Sequence, residues 1–310
     1  MRDTDTTKHS EIIAKPASGN ELTEVPPRHT EFQRIVQVFF RRKLAVIGLV
    51  IMILFVLTAI FAPWLTPYDP IDYMELSKSL AAPSWEHPLG LDSAGRDILS
   101  RVIYGTRISL IIGIGAVGMA AIIGQALGLI AAYFGGLVFT IIMRCIDALL
   151  AVPMVLTALT ISVVLGGGII NVIIAISLGI IPIQARLMCG QALTVKQNDY
   201  ILSERAMGAG ALRTMLRHIV PNAFPSLLVM VTIDLGGCIL MEATLSFLGV
   251  GIAPPLPAWG AMVNNGYPYL LTAPLLSIAP GIAIMLVVFG VNMVGDGLRD
   301  ALDPRLRGII

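Results

Sequence analysis

From Leu44 to Trp64 the chain runs without a charged residue. A helix needs ~20 predominantly apolar residues to cross the hydrocarbon core of a bilayer. Such a run has few uses in a soluble fold. Five further stretches have the same character: Ile108–Phe134; Leu137–Leu165, which contains Arg144 and Asp147; Ile169–Leu187, ended by Arg186; Phe224–Val250, which carries Asp234 and Glu242; and Leu275–Val294. The fold class expected is an all-α integral membrane protein with six transmembrane helices. Composition agrees, at 13% charged and 56% hydrophobic residues, where a soluble domain carries about 25% and about 45–50%. The net charge of +1 speaks against a nucleic-acid partner, which calls for a concentrated basic face.

The remainder divides around these spans. Residues 1–43 form a polar tail, in which 29–43 carry Phe32, Ile35, Val36, Phe39 and Phe40 near helical spacing beside Arg34, Arg41, Arg42 and Lys43. That pattern suits an interfacial helix, and equally a plain basic flank of the first span, 44–64. Residues 65–106 form a long loop, 107–297 a core of five helices with a hydrophilic loop at 188–223, and 298–310 a short terminus. Lys and Arg gather in the tail, in the 188–223 loop and after the last span, whereas 251–274 has none and acids dominate 65–106. The positive-inside rule then puts both termini in the cytoplasm and the 65–106 loop outside.

Chemistry is sparse. The five lysines follow Thr7, Ala14, Arg42, Ser77 and Val195, so no P-loop exists, because that loop needs Gly before its Lys. Gly113-Ile-Gly-Ala-Val-Gly118 matches a dinucleotide fingerprint by letter but lies inside an apolar span. Together with Gly124 and Gly128 it reads as close helix packing. The four histidines form no metal motif, none falls within a span, and Cys145, Cys189 and Cys238 are isolated. No catalytic site, metal or cofactor is expected in the chain.

The informative segment is Lys196–Ser226. Asp199 can cap a helix through Met207, Gly208 and Gly210 supply a turn, and Ala211–Val220 forms a second helix with Arg213 and Arg217 on one face. Pro221 is expected to end or kink it. A charged helix–turn–helix between spans reads as a protruding docking element.

Ala206-Met-Gly-Ala209 and Arg217-His-Ile-Val-Pro-Asn222 resemble the cytoplasmic loop of ABC-importer permeases, in their dipeptide/oligopeptide/nickel branch. His87-Pro-Leu-Gly-Leu-Asp-Ser-Ala-Gly-Arg-Asp-Ile-Leu-Ser-Arg101 with Tyr104-Gly-Thr-Arg-Ile-Ser-Leu110 resembles the branch's external signature. Glu242-Ala-Thr-Leu-Ser-Phe-Leu-Gly249 and Gly295-Asp-Gly-Leu-Arg-Asp-Ala-Leu-Asp-Pro-Arg305 resemble its fifth-span end and C-terminus. The likeness covers about residues 39–307, and the N-terminal tail resembles the C-type subunit of each permease pair. One departure stands: Leu202-Ser203-Glu204 occupies the place of the usual Glu-Ala-Ala. Two positions along a helix turn a side chain by about 200°, so Glu204 does not replace the missing carboxylate.

The resemblance implies a type I ABC-importer permease architecture in a bacterial inner membrane. The implied partners are a second homologous permease, two cytoplasmic ATPases that use ATP-Mg, and an external solute-binding protein. The implied cargo is di- or oligopeptides, with nickel chelates or other small solutes as alternatives. A stand-alone transporter driven by an ion gradient is the competing class. The coupling residues expected are Tyr200, Glu204, Arg205, Gly208, Arg213, Arg217 and Pro221. Charge inside a span is expensive and functional by default, which singles out Asp147, Asp234 and Glu242. Asp147 is expected to pair with Arg144 one turn away; Asp234 could face the pathway or the second permease; Glu242 has a structural reading. In the long loop, Asp97 and Arg101 are expected as i,i+4 partners on a short helix, with Asp92 and Asp97 serving as caps or in ion pairs rather than as metal ligands.

Overall fold

A computed structural model describes residues 31–302. Among them regular structure is helical, apart from one isolated bridge between Leu91 and Asp97. A short α1 (Glu31–Arg41) precedes α2 (Lys43–Leu65), which takes in the charge-free run and stops just after Pro63. Next come α3 (Ile98–Phe134), α4 (Gly136–Leu150), α5 (Met154–Leu165) and α6 (Ile169–Lys196). Two short helices, α7 (Asp199–Ala206) and α8 (Ala211–Thr214), lead through a π-type turn at Met215–Ile219 into α9 (Val220–Phe247). The chain closes with α10 (Trp259–Gly266) and α11 (Leu275–Leu302). Among the described residues five helices are long and apolar enough to cross a membrane, and the pair α4 and α5 makes a sixth crossing if its bend is counted as one span.

The directions of the helices follow from small residues at the crossings. A methyl group added to Gly115, Gly124 or Gly128 of α3 would strike Ile173, Ile181 or Ala185 of α6 in turn. The numbers rise together, so α3 and α6 run parallel, with backbones close enough to exclude a side chain. By contrast Gly113 meets Ile239, and Ser109 meets Glu242, so α9 runs against α3. Helices α2 and α11 are likewise antiparallel: Gly48 faces Gly290 and Ala45 faces Gly297. Both described termini therefore lie at one end of the bundle, where Phe39 of α1 packs near Gly297 and Arg42 pairs with Asp300. This near end also holds α7 and α8. Lys196 ties the end of α6 to α3 by donating to the Ala132 and Tyr133 carbonyls at 3.0 and 2.7 Å, acceptors that a helix C-terminus leaves open.

The far end is closed by residues 66–97 and 248–274. Asp97 caps α3 by accepting from the Ser100 amide at 2.7 Å, the ordinary role of Asp at that position. Arg101, buried, donates to the carbonyls of Pro70 at 2.7 Å and Pro255 at 3.1 Å. Trp259, fully buried, donates to the Val102 carbonyl at 3.0 Å. The two far-end segments are thus bolted to the first turns of α3.

Several expectations are corrected. The third span is broken: α4 and α5 meet at 88° across Ala151–Pro153, at a proline whose preceding residue is biased away from helical geometry. The helix of the fourth span does not stop at Arg186, since α6 continues to Lys196. Pro221 does not end its helix: helical backbone runs from Ala211 to Phe247, and the π-type turn at Met215–Ile219 lies just before the proline. The helix near Gly95 is not a short loop helix but the start of α3, and Asp97 does not pair with Arg101. Its carboxylate serves the Ser100 amide and His87, while Arg101 turns to backbone carbonyls. Residues 1–30 and 303–310, in the expected tail and C-terminus, lie outside the described residues.

Candidate functional site

The segment after α6 folds as two short helices crossed by a tight turn. Asn198 starts α7 by offering its carbonyl to the Ile201 and Leu202 amides. Gly208 ends it with φ +87°, a left-handed conformation that glycine adopts without a Cβ clash. Ile201, Met215 and Ile219 are buried against Met188, Cys189 and Ala192 of α6 and Leu129 and Ala132 of α3. That apolar wedge fixes the element to two spans. Its outer surface presents apolar side chains too: Leu202, Met207, Leu212 and Leu216 are exposed, with Met207 at 82%. Tyr200, Gly208, Arg213, Arg217 and Pro221 sit on this outer side; the side chain of Arg205 lies outside the described residues.

Glu204 points the other way. Its Oε1 stands 2.9 Å from His218 Nε2 and 3.5 Å from Arg213 Nε, and its side chain is only 12% exposed. Neither carboxylate oxygen finds a hydrogen bond of good geometry. The contact is an ion-pair contact, charged on the His218 side when that ring is protonated. Glu204 thus closes the α7–α8 hairpin from inside. His218, which carries this contact, was not among the residues expected from sequence. Its signal was the spacing to Glu204 across the Gly208 turn.

The three acidic residues of the spans have three different surroundings. Glu242 is fully buried; it accepts from Ser246 at 2.8 Å and lies 3.4 Å from Ser109. Ser246 in turn accepts from the Ile252 amide at 3.1 Å, so this cluster joins α3, α9 and the far-end loop. Asp234 is half-buried and accepts from Gln184 Nε2 at 2.7 Å, while Gln184 Oε1 accepts from Gln125 at 3.1 Å. This relay links α3, α6 and α9. Gln125 and Gln184 were not expected from sequence because they carry no charge, although an amide inside an apolar run is costly unless bonded. Asp147 pairs with Arg186 of α6 rather than with Arg144 on its own helix.

The far end holds a further polar knot. His87 Nδ1 lies 2.9 Å from Asp97, and its ring stacks near Tyr68 and Tyr73. Asp92 accepts from Arg96 Nε at 2.7 Å and from the Ala94 and Arg96 amides. These carboxylates are used up in capping and pairing. Among the described residues no group of three His, Cys, Asp or Glu side chains is placed to hold a metal ion.

Residues 124–308 match the family described as binding-protein-dependent transport system inner membrane component, and residues 30–83 match the N-terminal transmembrane domain of oligopeptide transport permease C. A glutathione transport system permease protein GsiD of Escherichia coli O6:K15:H31 is 44% identical over 296 residues, 95% of this chain and 98% of that one. Its counterpart in Pectobacterium atrosepticum is 43% identical over 269 residues, 87% of this chain and 89% of that one. Among solved structures, an inward-facing MetNI methionine ABC transporter chain aligns with TM-score 0.54 at 17% identity, covering 66% of this chain and 98% of that chain. That likeness concerns the fold.

Proposed function

Because the chain belongs to the binding-protein-dependent transport system inner membrane components, as an ABC-importer permease of the peptide/nickel branch, we propose that it carries short peptides of the glutathione size class inward. The reading has it work beside a second permease, two cytoplasmic ATPases that bind MgATP, and an external binding protein. The observation that carries it is the α7–α8 element. It is an ordered element that exposes Leu202, Met207, Leu212 and Leu216 beside Arg213 and Arg217, wedged by Ile201, Met215 and Ile219 into α3 and α6.

Charge placement supports a cytoplasmic near end and an external 66–97 segment. A partner ATPase that closes on α7–α8 would then push on α6 and on α9, which begins where α8 and its π-type turn end. Such coupling works only if the partner contacts the element differently in its open and closed states. The cargo is inferred from relatives named for glutathione transport and from the oligopeptide-permease likeness of residues 30–83.

The test is reconstitution of the chain with its co-encoded permease, ATPases and binding protein in proteoliposomes, supplied with labelled glutathione or trialanine. Uptake should need ATP inside the compartment that holds the ATPases and should vanish with a hydrolysis-dead ATPase. Uptake by this chain alone, driven by an ion gradient, would overturn the reading in favour of a stand-alone transporter.

A further inference from the structure

The α4–α5 elbow breaks a helix where the bundle is otherwise continuous. Met154, the first residue of α5, packs against Gly179 of α6, while Asp147 of α4 pairs with Arg186. The break at Ala151–Pro153 therefore lies between those levels of α6, about 10 Å apart by helix rise. Both levels fall within the apolar length of α6. Ala151, Val152 and Pro153 are all exposed. The Ala151 and Val152 amides still bond back to the Asp147 and Leu149 carbonyls; the remaining end groups of a broken helix find no partner in lipid, and non-helical backbone at such depth is tolerated only in protein or beside water.

The ion pair makes the same demand independently. Asp147 and Arg186 keep 49% and 58% of their side-chain surface exposed. Charges left so open beside apolar spans face a water-filled route or a partner, not acyl chains. Two separate features, a solvent-exposed backbone break and an open ion pair, thus mark one wall of the molecule.

The chemistry of that wall is two-signed. At the elbow the C-terminal end of α4 meets the N-terminal end of α5, which has no side-chain cap. A helix end of each polarity is therefore presented, and discontinuous helices in transporters use such ends on charged groups of the solute. Asp147 adds an anion and Arg186 a planar donor fork suited to a carboxylate. We infer that the α4–α5 elbow with Asp147 and Arg186 lines the solute route and is a transient site for a zwitterion, holding a peptide's ammonium at Asp147 and its carboxylate at Arg186. This rests on the reading of the chain as a peptide-carrying permease.

The experiment uses the whole reconstituted complex with labelled trialanine and glutathione. Asp147→Asn and Arg186→Gln should each cut uptake by about tenfold or more, the scale of one lost charge-assisted hydrogen bond, with all subunits still co-purifying. The double reversal, Asp147→Arg with Arg186→Asp, should stay low, because it restores the ion pair but inverts it against the elbow. Full rescue by that reversal would mean a purely structural pair. Loss of the second permease from the purified complex would mean a subunit interface. Either outcome overturns the site, as would unchanged uptake in both single variants.

A second measurement covers variants that do not assemble. Val152→Cys, in a chain whose exposed Cys145 is replaced by serine, should react with a membrane-impermeant maleimide and be protected by trialanine. No reaction would place the elbow against lipid or protein and sink the proposal. If the wild-type complex moves neither probe, the functional reading fails instead, and the two failures are distinguished.

Discussion

A methyl group on Gly128 would stand 2.1 Å from the Ala185 carbonyl oxygen. No rotamer relieves this contact, because a backbone atom stands opposite a backbone atom. Gly124 meets the Ile181 carbonyl at 2.6 Å in the same way, so α3 and α6 touch through two glycines one turn apart. Gly118, on the same helix, has open space around its absent Cβ. Gly128→Ala should therefore cost about 1–3 kcal/mol, the usual range for overpacking, and lower the thermal midpoint in detergent. Gly118→Ala should leave it unchanged or raise it slightly, since alanine is the better helix former. Equal midpoints for the two variants would contradict the close crossing.

The far-end segment should loosen in acid. Asp69 is held below its ordinary value of 3.8 by the amides of Asp72 and Ile71, which donate to Oδ1 at 2.8 Å each. Glu75 is held below its ordinary value of 4.5 by Lys78 first and then by the Tyr73 hydroxyl. A carboxylate depressed in the folded state adds stability above its unfolded value and loses it as pH falls through the folded one. The stability these two groups add is present at neutral pH and should fade below about pH 4. Amide exchange at Ile71 and Asp72, corrected for its intrinsic rate, should accelerate there. In Asp69→Asn the acid-dependent part of that change should disappear.

The spans were legible where apolar length alone decides. The charge-free run from Leu44 to Trp64 reappears as α2 almost residue for residue. Gly124 and Gly128 likewise show at the α3–α6 crossing what their spacing implied. What sequence hid was non-local. Arg186 looked like the end of a span because a charge is a natural boundary, yet its partner Asp147 arrives from a helix 39 residues earlier. Gln184 was passed over because only the fold brings Gln125 and Asp234 to its two ends. Pro153 was visible, but whether a proline kinks, ends or opens a helix depends on what packs beside it. Pro182, Pro225 and Pro280 all lie within continuous helices.

Asp234 should separate stability from transport. Gln184, fully buried, gives its amide proton to the Asp234 carboxylate at 2.7 Å. Asp234→Asn keeps an acceptor of the same shape, so membrane abundance should hold while uptake kinetics change through the lost charge. Asp234→Leu removes the acceptor and strands a buried donor, a cost of about 1–3 kcal/mol, so abundance itself should fall. Unchanged kinetics in the asparagine variant would remove Asp234 from the route and leave it a structural partner of Gln184.

Gly208 joins α7 to α8 with φ +87° and has open space around its absent Cβ. A substitution there is thus resisted by backbone conformation rather than by crowding. A β-branched residue in that region costs about 1–3 kcal/mol of local strain, and the chain can escape only by reopening the turn. Reopening would shift Leu202 and Met207 relative to Leu212 and Leu216, the exposed apolar residues proposed to meet the ATPase. The wedge of Ile201, Met215 and Ile219 is held by contacts with α3 and α6 rather than by the turn, so insertion and folding of the spans should persist. Gly208→Val should accordingly reach the membrane at wild-type abundance yet lose most ATP-driven uptake, with ATP hydrolysis no longer stimulated by the loaded binding protein. Gly208→Asn, which tolerates positive φ better than other side chains, should retain much more. If both variants transport like the wild type, the shape of the α7–α8 turn does not transmit the ATPase stroke.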